Sequence, residues 1–316
     1  MVIIFYKAAE KVVRSSDINI LKTIQQDNLI WVDLIDPTGD EKRTVEEFIG
    51  IELQSRSQAE EIESSSRYSE TDNEIFANTN FLISQPDSFT YETVSFTLTS
   101  GGILATLHNS DLRTLSEMGK RIQLNHKQYP SGYHLMVAIL ESRIDLDADM
   151  VEGIAKEISH LSGQINLGSK INEEMLLDIT QMQENTMVIR ENIIDKQRVV
   201  SSILRSSKFP DDVYPKLNVL IKDVNSLINH TDFSFDRLEY LQNTIIGLIN
   251  IEQNKIIKVF TVITVFFMPP TLIASMYGMN LWLPLFGDGM DLIASVILML
   301  VSVIVTFYFF KRKKIL

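Results

Sequence analysis

The chain has 316 residues, contains no cysteine, and carries 29 Lys and Arg against 41 Asp and Glu, for a net charge of −12. The lack of cysteine excludes disulfides, cysteine-ligated zinc and thiol catalysis. So large an excess of acid argues against a nucleic-acid-binding protein, which needs a basic surface.

The first 130 residues predict a mixed α/β domain. Short apolar runs predict five strands, at residues 2–6, 29–34, 75–83, 94–98 and 103–107. A Ser100-Gly101-Gly102 turn predicts a hairpin between the last two. Residues 40–49 and 111–125 have helical patterns. Because the sequence has neither a phosphate-binding glycine loop nor a His pair at metal-ligand spacing, we expect this domain to be a scaffold without chemistry of its own.

Residues 131–232 are predicted to form a cytoplasmic helical hairpin region. Helix-period apolar residues run over 135–165 and 171–204, with Gly168 as the break between them. A turn at 209–212 precedes a further predicted helix at 213–228. A second break is predicted at His230-Thr231-Asp232. Beyond it, residues 233–276 read as one stalk helix of about 40 residues, about 60 Å long, that continues into the membrane.

Two uncharged apolar segments close the chain, at 259–276 and 292–310, and each is long enough to cross a bilayer. Residues 277–291 join them, so the spans form a hairpin. The basic tail 311–316 begins with Lys311-Arg312-Lys313-Lys314, whereas the connecting loop has no Lys or Arg. The positive-inside rule therefore predicts cytoplasmic termini and a periplasmic loop. The opening apolar run is too short to be a secretory signal peptide.

Charge separates the two parts of the chain as sharply as hydropathy does. Residues 1–255 carry 24 basic and 39 acidic side chains, a net charge of −15. Residues 256–316 carry five basic and two acidic side chains, a net charge of +3. We therefore expect an acidic cytoplasmic body joined to a membrane hairpin.

The polar residues of the first span lie on one stripe of the predicted helix. Thr261, Thr264, Thr271 and Ser275 fall on the two core positions of a heptad. The same register contains eight residues, here called the seam: Asn250, Asn254, Ile257, Thr261, Thr264, Met268, Thr271 and Ser275.

Two interpretations of the seam remain open. Small and hydroxylated residues are common where membrane helices pack. The alternative is a pore lining, which requires several copies around an axis because one hairpin cannot enclose a channel. The two asparagines favour a pore, since their carbonyl oxygens suit a cation that loses water. The Pro269-Pro270 pair within the span is compatible with either a tolerated kink or a functional bend.

A tetrapeptide, Tyr277-Gly278-Met279-Asn280, directly follows the first span. Glycine lets the backbone turn, and asparagine offers an uncharged amide oxygen. In this setting the chain resembles the CorA family of magnesium channels, whose Gly-Met-Asn signature ends the first of two C-terminal spans. Further similarity, especially to the proteobacterial branch, lies at 250–258, 268–272, the terminal basic run, Trp31-Val32-Asp33-Leu34, and the segment from Glu61-Ile62-Glu63-Ser64 to Arg67.

The resemblance implies an α+β membrane protein of the bacterial inner membrane that assembles as a homopentamer. Its stalk helix would line the pore, with the second span outside it. The implied function is passive, potential-driven uptake of magnesium, with cobalt and nickel as further candidate ions. Because the acidic bodies of an oligomer would repel one another, we also expect intracellular magnesium to bind between them and to hold the pore shut. The resemblance makes residues 277–280 the selectivity filter and makes Asn280 and the Gly278 carbonyl the metal ligands. It also makes Asn254, Met268 and Thr271 line the conduit, with Met268 and Ile257 as hydrophobic constrictions. The heptad register independently selects the same positions, so we expect all eight seam residues to line the pore.

The outer loop departs from the family pattern, which usually has Met-Pro-Glu-Leu soon after the signature. Here Pro284 is present but the glutamate is missing. Asp288 or Asp291 is a candidate for cation recruitment; ordinary loop and capping roles are the alternative.

Two other functions stay open: a zinc or other divalent-cation transporter of the same superfamily, and a membrane-tethered scaffold that transports nothing. Met279 in the signature argues against the zinc branch. We do not expect an enzyme, an ATP site, an organic cofactor or a nucleic-acid partner. None of the five histidines has catalytic or ligand spacing: His108, His126, His134, His160 and His230.

Overall fold

The computed structural model describes residues 1–8, 11–59, 67–86, 88–166, 173–279 and 290–312. The chain divides into two compact units, Met1–Gln242 and Asn243–Leu316. The strands are β1 Val2–Ala8, β2 Lys11–Ser15, β3 Leu29–Ile35, β4 Tyr68–Glu70, β5 Glu74–Ser84, β6 Phe89–Thr99 and β7 Leu104–His108. The helices are α1 Gly39–Ile49, α2 Arg56–Ala59, α3 Arg113–Leu124, α4 Gly132–Asn166, α5 Glu173–Arg205, α6 Tyr214–Gly278 and α7 Met290–Arg312.

The strands form one seven-stranded sheet in the order β2-β1-β3-β7-β6-β5-β4. Strands β3 and β7 are parallel, with Val32 opposite Ala105, and the other described neighbours pair antiparallel. All five predicted strands are present, and the hairpin turn joins β6 to β7. The prediction of a mixed α/β N-terminal domain, a long helix and two apolar C-terminal helices is confirmed.

Both faces of the sheet are covered near its centre. On one face, α1 contributes Val45 and Ile49 to an apolar cluster with residues of β1, β3 and β7. The Phe5 ring stacks on Trp31 with centroids 4.5 Å apart. A Cβ at Gly119 of α3 would lie 2.7 Å from the Phe5 ring, so only glycine lets α3 pack this closely on the other face.

Helix α4 begins directly against the β6–β7 hairpin. The Gly132 N–H donates to the carbonyl of Gly102, whose φ of +80° forms the turn. A Cβ at position 132 would lie 2.6 Å from that carbonyl oxygen. The bounds of α4 and α5 agree with the predicted helices, and the predicted break at Gly168 lies outside the described residues.

The predicted break at His230-Thr231-Asp232 is wrong. Helix α6 is continuous from Tyr214, so the stalk begins well before residue 233 and includes the segment predicted as a separate helix. Two of the three polar residues at this point have partners that do not disturb the helix. The Thr231 hydroxyl donates to the Ile228 carbonyl, and Asp232 pairs with Arg190 of α5. Two further contacts, Gln197–Asn225 and Gln183–Gln242, show that α5 and α6 run antiparallel.

A buried ion pair joins the two parallel strands. Asp33 Oδ1 on β3 accepts from Thr106 Oγ1 at 2.6 Å and lies 2.9 Å from His108 Nε2 on β7. The other ring nitrogen, Nδ1, lies 2.6 Å from the carbonyl oxygen of Ser110. Burial is the largest single effect on the His108 pKa and lowers it, but Asp33 and the carbonyl of Ser110 together outweigh it and raise the pKa above 6.5. With both ring nitrogens beside acceptors, the imidazolium form is favoured.

This pair predicts that stability falls at alkaline pH. The folded chain binds the His108 proton more tightly than the unfolded chain, so the stabilisation is complete below pH 6.5 and is lost as pH rises through the raised pKa. We expect His108→Gln to lower the unfolding free energy by about 1–3 kcal/mol at pH 6. The difference from the parent should shrink as pH rises.

Thermal unfolding of the detergent-solubilised chain between pH 6 and pH 9 measures this. The exposed His160 provides the control, and His160→Gln should keep the parent's pH profile. A constant difference between His108→Gln and the parent over the whole range would contradict the assignment.

Candidate functional site

The unit from Asn243 to the C-terminus contains the end of α6 and the helix α7. Both helices include an uncharged apolar stretch long enough to cross a membrane, and these stretches are almost wholly uncovered by the rest of the chain. Phe260, Phe267 and Leu300 are between 60% and 67% exposed. Side chains this apolar need lipid or other protein around them.

All eight seam residues are exposed. The two seam positions implied to be hydrophobic constrictions, Ile257 and Met268, are 60% and 62% exposed. Thr264, Met268, Thr271 and Ser275 line a shallow open groove along the helix. The described part of the single chain therefore leaves all eight seam residues uncovered.

The half-covered residues of the span lie on the opposite side of α6. These are Val262, Val265, Phe266, Pro269, Pro270, Ile273 and Tyr277. The Phe266 ring contacts Phe307 and Phe310 of α7, with centroids 6.3 and 6.0 Å apart. At 3.6 residues per turn this face is about 160° around the helix from the seam. The contact with α7 is therefore made away from the seam.

The hydroxyls of the three seam threonines are satisfied within their own helix. Thr261, Thr264 and Thr271 donate to the carbonyls of residues 257, 260 and 267, at 2.7, 2.9 and 2.7 Å. Each hydroxyl proton thus points back to the backbone, which leaves the oxygen lone pairs to face outward. The stripe presents acceptors, which suit a cation or the waters around it.

The proline pair leaves α6 helical. Residues 269 and 270 lack the N–H groups that would bond to the carbonyls of residues 265 and 266. Those two residues belong to the half-covered face, so the freed carbonyls are not on the seam. This favours a tolerated irregularity of the helix over a ligand role for these carbonyls.

The signature motif is described only in part. Tyr277 and Gly278 are the last two residues of α6, and Met279 follows in a turn with 62% of its surface exposed. Asn280 and Asp288 lie outside the described residues, as does the side chain of Asp291. In the described part of the chain, no group of three or more acidic or histidine side chains could hold a metal ion.

The sequence patterns did not predict two charged networks that the structure shows in the first unit. One is the Asp33–His108 pair. The other joins α4, α5 and β5 through Asp147 and Lys196, whose charged atoms are 3.0 Å apart and fully buried. The available signal was weak: Arg143 and Asp147 are four residues apart on a predicted helix, but Glu141, Asp145 and Asp149 lie beside them.

Comparison with known proteins identifies the family. A sequence profile described as "CorA-like Mg2+ transporter protein" matches residues 26–312. The chain belongs to the CorA family. It is 35% identical to the magnesium transport protein CorA of Wolinella succinogenes over 99% of both chains. It is 30% identical to the protein of that name from Escherichia coli K12, over 90% of this chain and 92% of the relative.

Solved structures agree at the level of the fold. The CorA magnesium transporter of Methanocaldococcus jannaschii superimposes with a TM-score of 0.80 over 99% of this chain and 98% of its own, at 19% identity. Full-length CmaX gives 0.72 over 99% and 97%, at 13% identity. CorA membership confirms that the chain is a membrane transporter and not an enzyme.

The open seam makes a prediction that separates its two interpretations. The chain has no native cysteine, so single cysteines at positions 261, 264, 271 and 275 can be labelled without background. If the seam faces water, each should react with a membrane-impermeant thiosulfonate about tenfold faster than a lipid-facing or packed cysteine, because the reactive thiolate forms only in water. Labelling should also slow cation flux.

Val262→Cys on the half-covered face is the matched control and should stay unreactive. Equal, slow labelling of the seam and control positions in the assembled protein would favour the packing interpretation.

Proposed function

We propose that the chain is one subunit of a homopentamer that admits Mg²⁺ passively across the bacterial inner membrane. The seam would face the pentamer axis and α7 would face lipid. The observation that carries this proposal is the two-sided α6: its seam of acceptors is uncovered, while its contact with α7 lies on the opposite face. Family membership and the names of the similar proteins supply the ion.

The chemistry of the seam suits a hydrated magnesium ion. Mg²⁺ prefers oxygen ligands and gives up its water reluctantly. Five copies of Thr261, Thr264 and Thr271 would offer rings of outward lone pairs to those waters. The seam, from Asn250 to Ser275, contains no carboxylate, so the ion would be bound weakly enough to leave. At the outer end, five Asn280 amides and Gly278 carbonyls would form the selectivity filter.

The membrane potential supplies the driving force. A divalent cation crossing a 100 mV inside-negative potential gains about 4.6 kcal/mol, twice the value for a single charge. The cytoplasmic termini proposed here put the terminal basic residues on the negative side, as the positive-inside rule requires. ATP is unnecessary for uptake on this scheme.

Asn280→Ala tests the filter. We expect it to lower Mg²⁺ flux into proteoliposomes by at least about tenfold, which corresponds to about 1.4 kcal/mol in the barrier. Mg²⁺, Co²⁺, Ni²⁺ and Zn²⁺ should be compared under one imposed potassium diffusion potential. Cobalt and nickel are expected to pass more slowly, and zinc is expected to pass least.

The matched control is Asn218→Ala, which removes an exposed amide on the same helix whose Nδ2 donates to the Tyr214 carbonyl. Its flux should equal that of the parent. Unchanged flux in Asn280→Ala would overturn the filter. Zinc transport dependent on a pH gradient would favour the other branch of the superfamily, and no flux at all would favour a scaffold.

Regulation by internal magnesium is the second part of the proposal. In a pentamer the net −15 of each cytoplasmic body would be brought together, so carboxylates at subunit contacts repel unless cations bridge them. Bound Mg²⁺ would hold the bodies together and the pore closed. Asp288 and Asp291 are separately proposed to attract cations at the outer mouth, where the family glutamate is missing.

Protease resistance of the pentamer measures this regulation. With Mg²⁺ at about 100 times its Kd, cleavage of the cytoplasmic body should slow by up to about 100-fold in calcium-free buffer. Sodium at equal ionic strength is the control. Resistance that does not depend on Mg²⁺ would remove the gating proposal and leave the conduction proposal intact.

A further inference from the structure

A cavity in the first unit lies between helix α5 and strands β5 and β6. It has a volume of about 470 Å³, within the range of small-molecule sites. Its walls combine apolar side chains, including Leu82 and Val188, with Arg67 and Asp195 on the inner side. Tyr91, which is 66% exposed, lies at the rim.

The inner wall of this cavity is part of a buried charge network. Asp147 accepts from Arg143 Nη2 at 2.7 Å and from Asn192 Nδ2 at 3.1 Å, and its Oδ2 lies 3.0 Å from Lys196 Nζ. Lys196 Nζ also donates to the Asn80 carbonyl and to Asn192 Oδ1, both at 2.7 Å. Its side chain is fully buried.

Asp195 forms the second half of the network. Its Oδ2 accepts from Thr79 Oγ1 and from the Asn80 N–H, both at 3.0 Å. Its Oδ1 lies 3.0 Å from Arg67 Nε. Asp195 therefore has a donor or cation beside each oxygen, and needs nothing further.

The network has more positive charge and more donors than it can satisfy. Among the residues that the structure describes, three buried cations (Arg67, Arg143 and Lys196) face two buried carboxylates, a net charge of +1. Within the described residues, three nitrogen atoms of the network are buried without a well-aligned hydrogen bond: Nε and Nη1 of Arg67, and Nε of Arg143. All three are donors. Burial is the main reason that the pKa of Lys196 falls to about 8; Arg143 lowers it further, and Asp147 opposes the shift.

We infer that this cavity binds a small organic oxyanion, with the guanidinium of Arg67, which lines the cavity, as the cation that pairs with its carboxylate or phosphoryl oxygen. An anion there would balance the net +1 and satisfy a donor that is costly to bury unpaired. The planar guanidinium is the side chain best shaped for such an oxygen. Arg198 and Glu191 at the mouth carry opposite charges that cancel, so the buried network determines the sign of the net charge around the cavity. Leu82 and Val188 would contact the organic part.

Phenyl phosphate and benzoate are suitable probes, because each joins an oxyanion to an apolar ring. Inorganic phosphate tests the oxyanion alone. The full-length protein is dialysed against each probe without divalent metals, which phosphate would chelate, with chloride holding the ionic strength constant. We expect saturable binding of one ring-bearing probe per chain, tighter than inorganic phosphate. At about 100 times Kd, the thermal midpoint should rise by several degrees. The tighter of the two ring probes identifies the oxyanion.

Two variants test the site, so that the failure of one of them to fold does not prevent the test. Arg67→Lys keeps a cation beside Asp195 but removes the guanidinium, and should weaken binding by about tenfold or more. Val188→Phe fills the cavity from a partly exposed wall without changing any charge, and should have the same effect. Arg113→Gln, which changes an 85% exposed arginine elsewhere, should bind as the parent does.

The inference is overturned if no probe binds, if chloride alone gives the same stabilisation, or if Arg67→Lys and Val188→Phe both bind as tightly as the parent. If one variant loses binding and also has a lower thermal midpoint than the parent, the other variant decides the question. The two substitutions act independently, because one changes the guanidinium and the other changes the cavity volume.

Discussion

Within a bilayer, each polar group on a helix must find its hydrogen bond on that helix or on another protein surface, because lipid offers none. The way in which α6 meets this constraint decides which of its faces can be left uncovered. Thr261, Thr264 and Thr271 donate their hydroxyl protons to backbone carbonyls of the same helix. The aromatic contact of α6 with α7 lies on the opposite face. The uncovered stripe is therefore stable as a helix surface while it still presents oxygen lone pairs.

The same arrangement explains why a packing seam and a pore lining are hard to separate from the sequence. Hydroxyls at heptad spacing satisfy either role. The structure shows which face of α6 contacts α7, and the spacing of Thr261 and Thr271 gives no information about that face. A seam that packed on the neighbouring span would have faced Phe307 and Phe310, and it does not.

The parts of the fold that the sequence predicted are those with a strong local pattern. The central strands are apolar runs, and Ser100-Gly101-Gly102 marks their hairpin. Strands β2 and β4 were missed, and both lie at the edges of the sheet. An edge strand buries little and needs charge to avoid pairing with other chains, so Lys11–Ser15 and Tyr68–Glu70 carry little apolar signal. The false break at 230–232 has a different cause: Asp232 pairs with α5, and the Thr231 hydroxyl bonds to a carbonyl of its own helix, so these polar residues do not end the helix.

The buried charges were beyond the reach of sequence patterns for a further physical reason. Lys196 and Arg67 are ordinary surface residue types, and only the packing of α5 on β5 removes them from water. Burying a charge costs several kcal/mol unless a partner is present, so each of these cations requires its carboxylate. Replacing such a cluster with apolar residues is often stabilising, so stability alone does not account for three cations around Asp147 and Asp195. The excess of donors beside an open cavity gives the network a reason to be charged, because a site that is to attract an oxyanion must hold positive charge before the ligand arrives.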